Sequence, residues 1–186
     1  LNLLNWTHRL VGTRGLTAFA TWLRSLSGDR LPLWTPAMPT GGTASSWHAV
    51  GSTQADQVVY FPACINRSMG PAGSSGERSL NTVTESLLKK AGYSIVYPDA
   101  TDKLCCGMPF ASKGLSETAA AKAAELGDAL LNVSDNGRIP ILCDMSPCLY
   151  HMKETLDSRL QLFEPIEFTL KFLADRIKFE KVPETI

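Results

Sequence analysis

Apolar residues recur at helical spacing across the first 27 positions, at Leu3, Leu4, Leu10, Leu16, Phe19, Trp22, Leu23 and Leu26. Gly12 and Gly15 interrupt this stripe and predict two short helices. Leu31 to Pro39 (LPLWTPAMP) reads as extended, because each proline biases its predecessor away from the helical region. Thr40 to Asp56 is rich in Gly, Ser and Thr and reads as a linker. Residues 1–56 are therefore expected to form a helical arm and linker. The arm has an apolar face and no chemistry of its own, so it is expected to pack on a partner or on an upstream domain.

From Gln57 the pattern becomes regular. Val58 to Phe61 is a continuous apolar run, as expected for a strand buried on both faces. Glu77 to Ala91 reads as a helix with Leu80, Val83, Leu87 and Leu88 on its inner face and Gly92 closing it. Tyr93–Tyr97, Ile139–Cys143 and Leu160–Phe163 read as further strands. Ser116 to about Val133, Pro147–Leu156 and Ile166–Ile177 read as further helices, with Glu117 suited to the positive end of its helix. This alternation predicts an α/β fold, a Rossmann-like parallel sheet of about four strands flanked by helices over residues 57–186.

Composition narrows the function. Eighteen Lys and Arg balance eighteen Asp and Glu, so the basic excess of an electrostatic nucleic-acid binder is missing. With 44% hydrophobic and 19% charged residues the chain can bury a core. No apolar run approaches the roughly 18–20 residues of a membrane span, and there is no secretory signal. The chain opens on Leu1 rather than Met, which reads as a piece of a longer protein.

Five cysteines carry the candidate chemistry: Cys64, Cys105, Cys106, Cys143 and Cys148, spaced C-x40-CC-x36-C-x4-C. An odd number clustered in mid-chain argues against a disulfide framework and for a reducing compartment. Each follows or ends a predicted strand, and ligands gather at the carboxyl ends of strands in open parallel sheets. All five thiols are thus expected along one rim. Convergent thiols fit an iron–sulfur cluster, a structural zinc, or a redox or structural set of thiols. The C-x2-C knuckles usual for zinc are missing. Gly107 allows close backbone approach, and Pro109-Phe110 would form a wall against water.

Cys105-Cys106-Gly107, with a lone cysteine about 40 residues to either side, resembles the cysteine-rich CCG domain found in the heterodisulfide reductases and in the iron–sulfur component of glycolate oxidase. The longer strings VVYFPACINRSMG, LCCGMPFASKG and CDMSPC, with the upstream LPLWTPAMP, resemble the C-terminal part of FAD- and Fe-S-containing D-lactate dehydrogenases over roughly Leu31–His151. The resemblance implies an upstream FAD domain that oxidises D-lactate or a related 2-hydroxy acid, ferredoxin-like clusters, and two CCG repeats. Electrons would pass to a quinone or cytochrome acceptor.

By position, Cys64, Cys105, Cys106 and Cys148 match ligands of a 4Fe-4S cluster, cubane or non-cubane. The family pattern ends in C-x2-C, whereas Cys143 lies five positions before Cys148. Cys143 therefore reads either as a further ligand or as a buried strand residue. Residues 57–186 correspond to the first repeat. The second repeat, the flavin domain and the ferredoxin cysteines are not in these 186 residues, so the chain is not expected to oxidise lactate alone. Its expected partners are those upstream domains and the acceptor, with no nucleic acid. The expected location is the cytoplasm, with the inner face of the membrane as an option. An uncovered repeat interface would favour self-association. A zinc-bound or metal-free docking module and a redox-active dithiol at Cys105 and Cys106 are the alternatives.

The remaining residues read more plainly. His151 is expected on a helix surface, with ligation or proton transfer as the alternative, and His8 and His48 as structural or solvated. MGPAGSSGE matches no phosphate-binding motif and reads as a loop. Arg67 could offset the charge of a thiolate-bound centre, while Lys103 and Lys113 read as solvated. No pair of carboxylates suggests hydrolysis. The four tryptophans all fall within the first 47 residues and are expected to serve packing.

Overall fold

The architecture comes from a computed structural model that describes residues 2–31, 33–35, 41–42, 47–51, 55–71, 78–178 and 180. Most of the proline segment, parts of the linker and most of the MGPAGSSGE loop lie outside the described residues, as does Glu77. The elements run α1 (Asn2–Leu26), β1 (Gln57–Phe61), α2 (Cys64–Ser68), α3 (Leu80–Lys90), β2 (Ser94–Val96), α4 (Met108–Ala111), α5 (Ser116–Val133), β3 (Ile141–Cys143), α6 (Ser146–Thr155), β4 (Leu162–Phe163) and α7 (Pro165–Phe168). A 3-10 turn at Thr101–Lys103 precedes α4. The four strands form one parallel sheet in the order β2-β1-β3-β4.

Alternation along β1 explains why Val58–Phe61 are all apolar. Val59 and Phe61 point to one face, where they pack with Leu126 and Leu130 of α5 and Leu149 and Met152 of α6. Val58 and Tyr60 point to the other, against Leu88 of α3 and Phe168 of α7. A parallel sheet covered on both sides needs such strands. The outer edge of β2 is also covered. Val50 forms an antiparallel bridge with Ile95, with N–H···O bonds of 2.9 and 2.8 Å. The linker thus removes an open sheet edge.

Several boundaries differ from the sequence pattern. Gly12, at φ 73°, breaks α1, whereas Gly15 lies within its second segment. Ser79 caps α3 by accepting the Thr82 N–H at 3.3 Å, and Gly92 closes it with φ 82°. Leu80 and Val83 of its expected inner face are exposed. The predicted last helix is only one α-turn followed by a π-helical stretch, Thr169–Leu173, with Phe168 and Phe172 both packed on Phe163. Residue spacing does not separate a four-residue from a five-residue hydrogen-bond repeat.

Two devices shape the carboxyl edge of the sheet. Asp144, just after β3, accepts the Ala63 N–H at 2.7 Å and the Tyr60 hydroxyl at 2.8 Å. It therefore fixes the loop after β3 to the end of β1 and the start of α2. Gly107 turns the chain into α4 at φ 90°, with the Ala119 carbonyl only 2.5 Å from where a Cβ would stand. Side chains other than glycine are strained there both by the left-handed backbone and by that contact.

Burial pushes the Asp144 carboxyl up, against the pull of the Ala63 N–H and the Tyr60 hydroxyl. The folded chain then holds its proton more tightly than the unfolded chain. Stability contributed by this group falls as pH rises from the ordinary carboxylate range through the raised folded value. Asp144→Asn should remove that slope, and Asp144→Ala, which leaves the Ala63 N–H unmet and Tyr60 with only its bond to Asn81, should cost about 2 kcal/mol. Denaturant unfolding of the three proteins across mildly acidic pH checks both; parallel curves for wild type and Asp144→Asn would contradict the assignment.

Candidate cysteine centre

The strand order reverses between β1 and β3, since the chain passes from β1 outward to β2 and then back across to β3 and β4. Such a switch point opens a crevice at the carboxyl ends of the two strands. Cys64 is the first residue of α2, after β1, and Cys148 lies in the first turn of α6, after β3. The loop after β2 brings Cys105 and Cys106 to the same place, immediately before α4. The loops bring these four close enough for each to act on a neighbour's ionisation: Cys64 on Cys105, Cys105 on Cys106, and Cys148 on Cys106. The loops that carry the thiols expected on one rim thus end at one edge of the sheet, and none of the thiols is in a disulfide.

Cys143 sits differently. It is the buried last residue of β3, and its Sγ donates to the Met145 carbonyl at 3.8 Å. Burial raises this thiol to about 12, so it stays protonated. It lies near enough to sense charge on Cys106 and Cys64. Its surroundings are those of a core strand residue.

Within the Cys106–Cys148 pair the proton belongs to Cys148. Cys148 donates to Cys106, and the Met108 backbone N–H points at the same sulfur, so Cys106 is held well below the usual thiol range despite its burial. Cys148 is driven up in return, by that hydrogen bond first and by burial second. Burial also raises Cys105, partly offset by the Gly107 N–H at 3.5 Å. Three helices begin at or beside these thiols, so backbone N–H groups favour negative charge on sulfur.

Arg67 does more than the sequence suggests. Its guanidinium donates to the carbonyls of Thr101 and Leu104 and stands 5.7 Å over the Phe61 ring. It therefore ties the loop after β2 to α2, directly under Cys64 and Cys105. Burial lowers the guanidinium, and negative charge on Cys64 and Cys105 opposes that. A cation in this position favours thiolates or an anionic centre.

His151 departs from the expected surface position. Its Nε2 is buried without a hydrogen-bond partner and faces Gly107, 3.3 Å from where a Cβ would stand. Lys103 and Lys113 are exposed, as expected. Pro109 is exposed rather than part of a closed wall, and lines an open groove of about 1020 Å³ beside Cys64. His48, Arg67 and Asp102 line the same groove, so one side of the thiol set is reachable from solvent.

Sequence reasoning missed Asp144 and Tyr60, which position the Cys64 loop. The signal was an acid directly after a strand-final cysteine, together with a tyrosine hydroxyl within a buried strand. It also missed α2 and α4, which are too short to show a period.

By donor chemistry the set fits a soft metal centre: four partly or fully buried sulfurs, one already favoured as thiolate, with N–H groups and a guanidinium around them. Among the described residues no three His, Cys, Asp or Glu side chains are gathered closely enough to hold a single metal ion.

Comparison with known proteins agrees with this reading at the level of the domain. The cysteine-rich domain family CCG matches residues 58–153, from β1 to α6, which includes all five cysteines and more than half of the chain. No curated protein and no solved structure matches the chain. With the vicinal pair and its glycine at the centre of the site, and lone cysteines arriving from the neighbouring strands, the chain belongs to the CCG cysteine-rich domain family.

Proposed function

We propose that Cys64, Cys105, Cys106 and Cys148 hold a 4Fe-4S-type cluster, cubane or non-cubane, and that the domain relays electrons within a flavin-dependent dehydrogenase of D-lactate or a related 2-hydroxy acid. The observation that carries the reading is the convergence of three separate loops at one end of the sheet, which sets Cys64, Cys105, Cys106 and Cys148 within electrostatic reach of their neighbours. When bound, such a cluster supplies one-electron transfer. The chain's own part is to present thiolates, balance their charge and limit water. Cys106 is already favoured as thiolate, Arg67 supplies the nearby positive charge, and Gly107 brings backbone N–H groups close to sulfur.

The spread of the sulfurs also bears on the choice of metal. A single zinc needs all four sulfurs about 2.3 Å from one point, while a multi-iron cluster spaces its ligands around its own bulk. Among the described residues no three ligands share such a point, which suits the second better. The dehydrogenase context and the quinone or cytochrome acceptor rest on the strings VVYFPACINRSMG, CCGMPFASKG and CDMSPC, which resemble those enzymes.

A second reading has one observation in its favour. Cys106 and Cys148 form a thiolate–thiol pair, which is how a reactive dithiol begins disulfide exchange.

Anaerobic reconstitution with iron and sulfide decides between them. The cluster reading predicts several irons per chain and a broad visible absorbance. Cys106→Ser or Cys148→Ser should abolish both, and Cys143→Ser should leave them largely intact. One zinc per chain and no bound iron would overturn it in favour of a zinc module. No metal, with loss of two thiols on mild oxidation that Cys148→Ser prevents, would overturn it in favour of the dithiol.

A second outcome concerns Gly107. Gly107→Ala should cost about 2 kcal/mol or more through the left-handed backbone and the Ala119 carbonyl contact. Reconstituted iron should fall with it even at temperatures where circular dichroism reports a folded chain. Full iron content in folded Gly107→Ala would contradict the role given to this turn.

A further inference from the structure

We infer that α1 lies on an anionic lipid surface, with its apolar face in the interface and its arginines toward the headgroups. The inference is independent of what the cysteines bind.

Two observations carry it. The first is exposure. Leu3, Trp6 and Leu10 repeat at i, i+3 and i+7, and Phe19, Trp22 and Leu26 repeat the same spacing beyond the Gly12 break. Their exposures are 74%, 60%, 65%, 53%, 56% and 66%. Only the inner edge of the arm is covered, where Leu16 and Trp34 are buried and His8 packs on the Trp34 ring at 4.8 Å. Two tryptophans expected to serve packing therefore face solvent. Phe19 and Trp22 stack on each other at 5.9 Å and present one continuous aromatic surface.

The second is charge. The first 30 residues hold Arg9, Arg14, Arg24 and Arg30 against one acid, Asp29, although the whole chain is neutral. Arg24 pairs with Asp29 at 2.8 Å just beyond the helix end, and Arg14 is exposed with no acidic side chain on its helix. A helix with an aromatic apolar face, whose only charged residues are arginines, matches the interface of a bilayer containing anionic lipid. Among the described residues no helix is long and apolar enough to cross a membrane, so this helix would lie on the surface rather than span it.

The test uses the full chain with vesicles of phosphatidylcholine alone and of phosphatidylcholine mixed with phosphatidylglycerol. The chain should sediment with the mixed vesicles, release as salt is raised, and shift its tryptophan emission to the blue. All four tryptophans lie within the first 47 residues, so that emission reports on the arm and linker. F19S/W22S, at exposed positions that leave the fold unchanged by circular dichroism, should abolish binding. R9E/R14E should weaken it at least about tenfold. Equal binding to neutral vesicles, no binding to either, or unchanged binding by F19S/W22S would overturn the inference. So would a dimer in solution that F19S/W22S dissolves and that does not bind vesicles, since the face would then belong to a second copy of the chain.

Discussion

The arrangement of this domain depends on how the end of β1 is tethered to its two neighbours. A parallel sheet brings strand ends to one edge, but it does not hold the loops that follow them. Asp144 joins the β3 loop to Ala63 and Tyr60 of the β1 end, and Arg67 joins the β2 loop to α2 through the carbonyls of Thr101 and Leu104. Each tether carries a charge-assisted hydrogen bond inside a partly buried setting, where an unmet partner is costly. Together they hold the loops that carry Cys64, the vicinal pair and Cys148 at one edge of the sheet.

Those same tethers shape the electrostatics of the sulfurs. Arg67 contributes positive charge near Cys64 and Cys105, while Asp144 places a carboxyl group beside Cys143 and within reach of Arg67. The deeper thiol, Cys143, stays protonated in the core, and the shallower Cys106 becomes the anion because Cys148 and backbone N–H groups donate to it. Burial alone would have raised both. Hydrogen-bond donors therefore decide which sulfur is favoured as thiolate.

Much of this was legible in the sequence. The apolar runs at Val58–Phe61 and Ile139–Cys143 announce strands covered on both faces, and α5 begins at Ser116 and ends at Val133 as its pattern implies. The rim of cysteines followed from the alternation of strands and helices. Other features were hidden for physical reasons. Periodicity identifies the apolar face of α3 but not what covers it, so Leu80 and Val83 read as core and are exposed. His151 reads as a surface residue because spacing along α6 does not register the Gly107 turn packed against its ring. Asp144 and Arg67 act across 81 and 34 residues of sequence respectively, and no local pattern reports such distances.

The most direct test of the central claim is a distance measurement between thiols in the folded, metal-free chain, using a short bifunctional thiol reagent and peptide mapping of the cross-links. The account predicts intramolecular links between Cys64 and Cys105 and between Cys106 and Cys148, with Cys143 left unmodified until the chain is unfolded. Links confined to the vicinal pair, with Cys64 and Cys148 reacting independently, would show that the three loops do not meet and would contradict it.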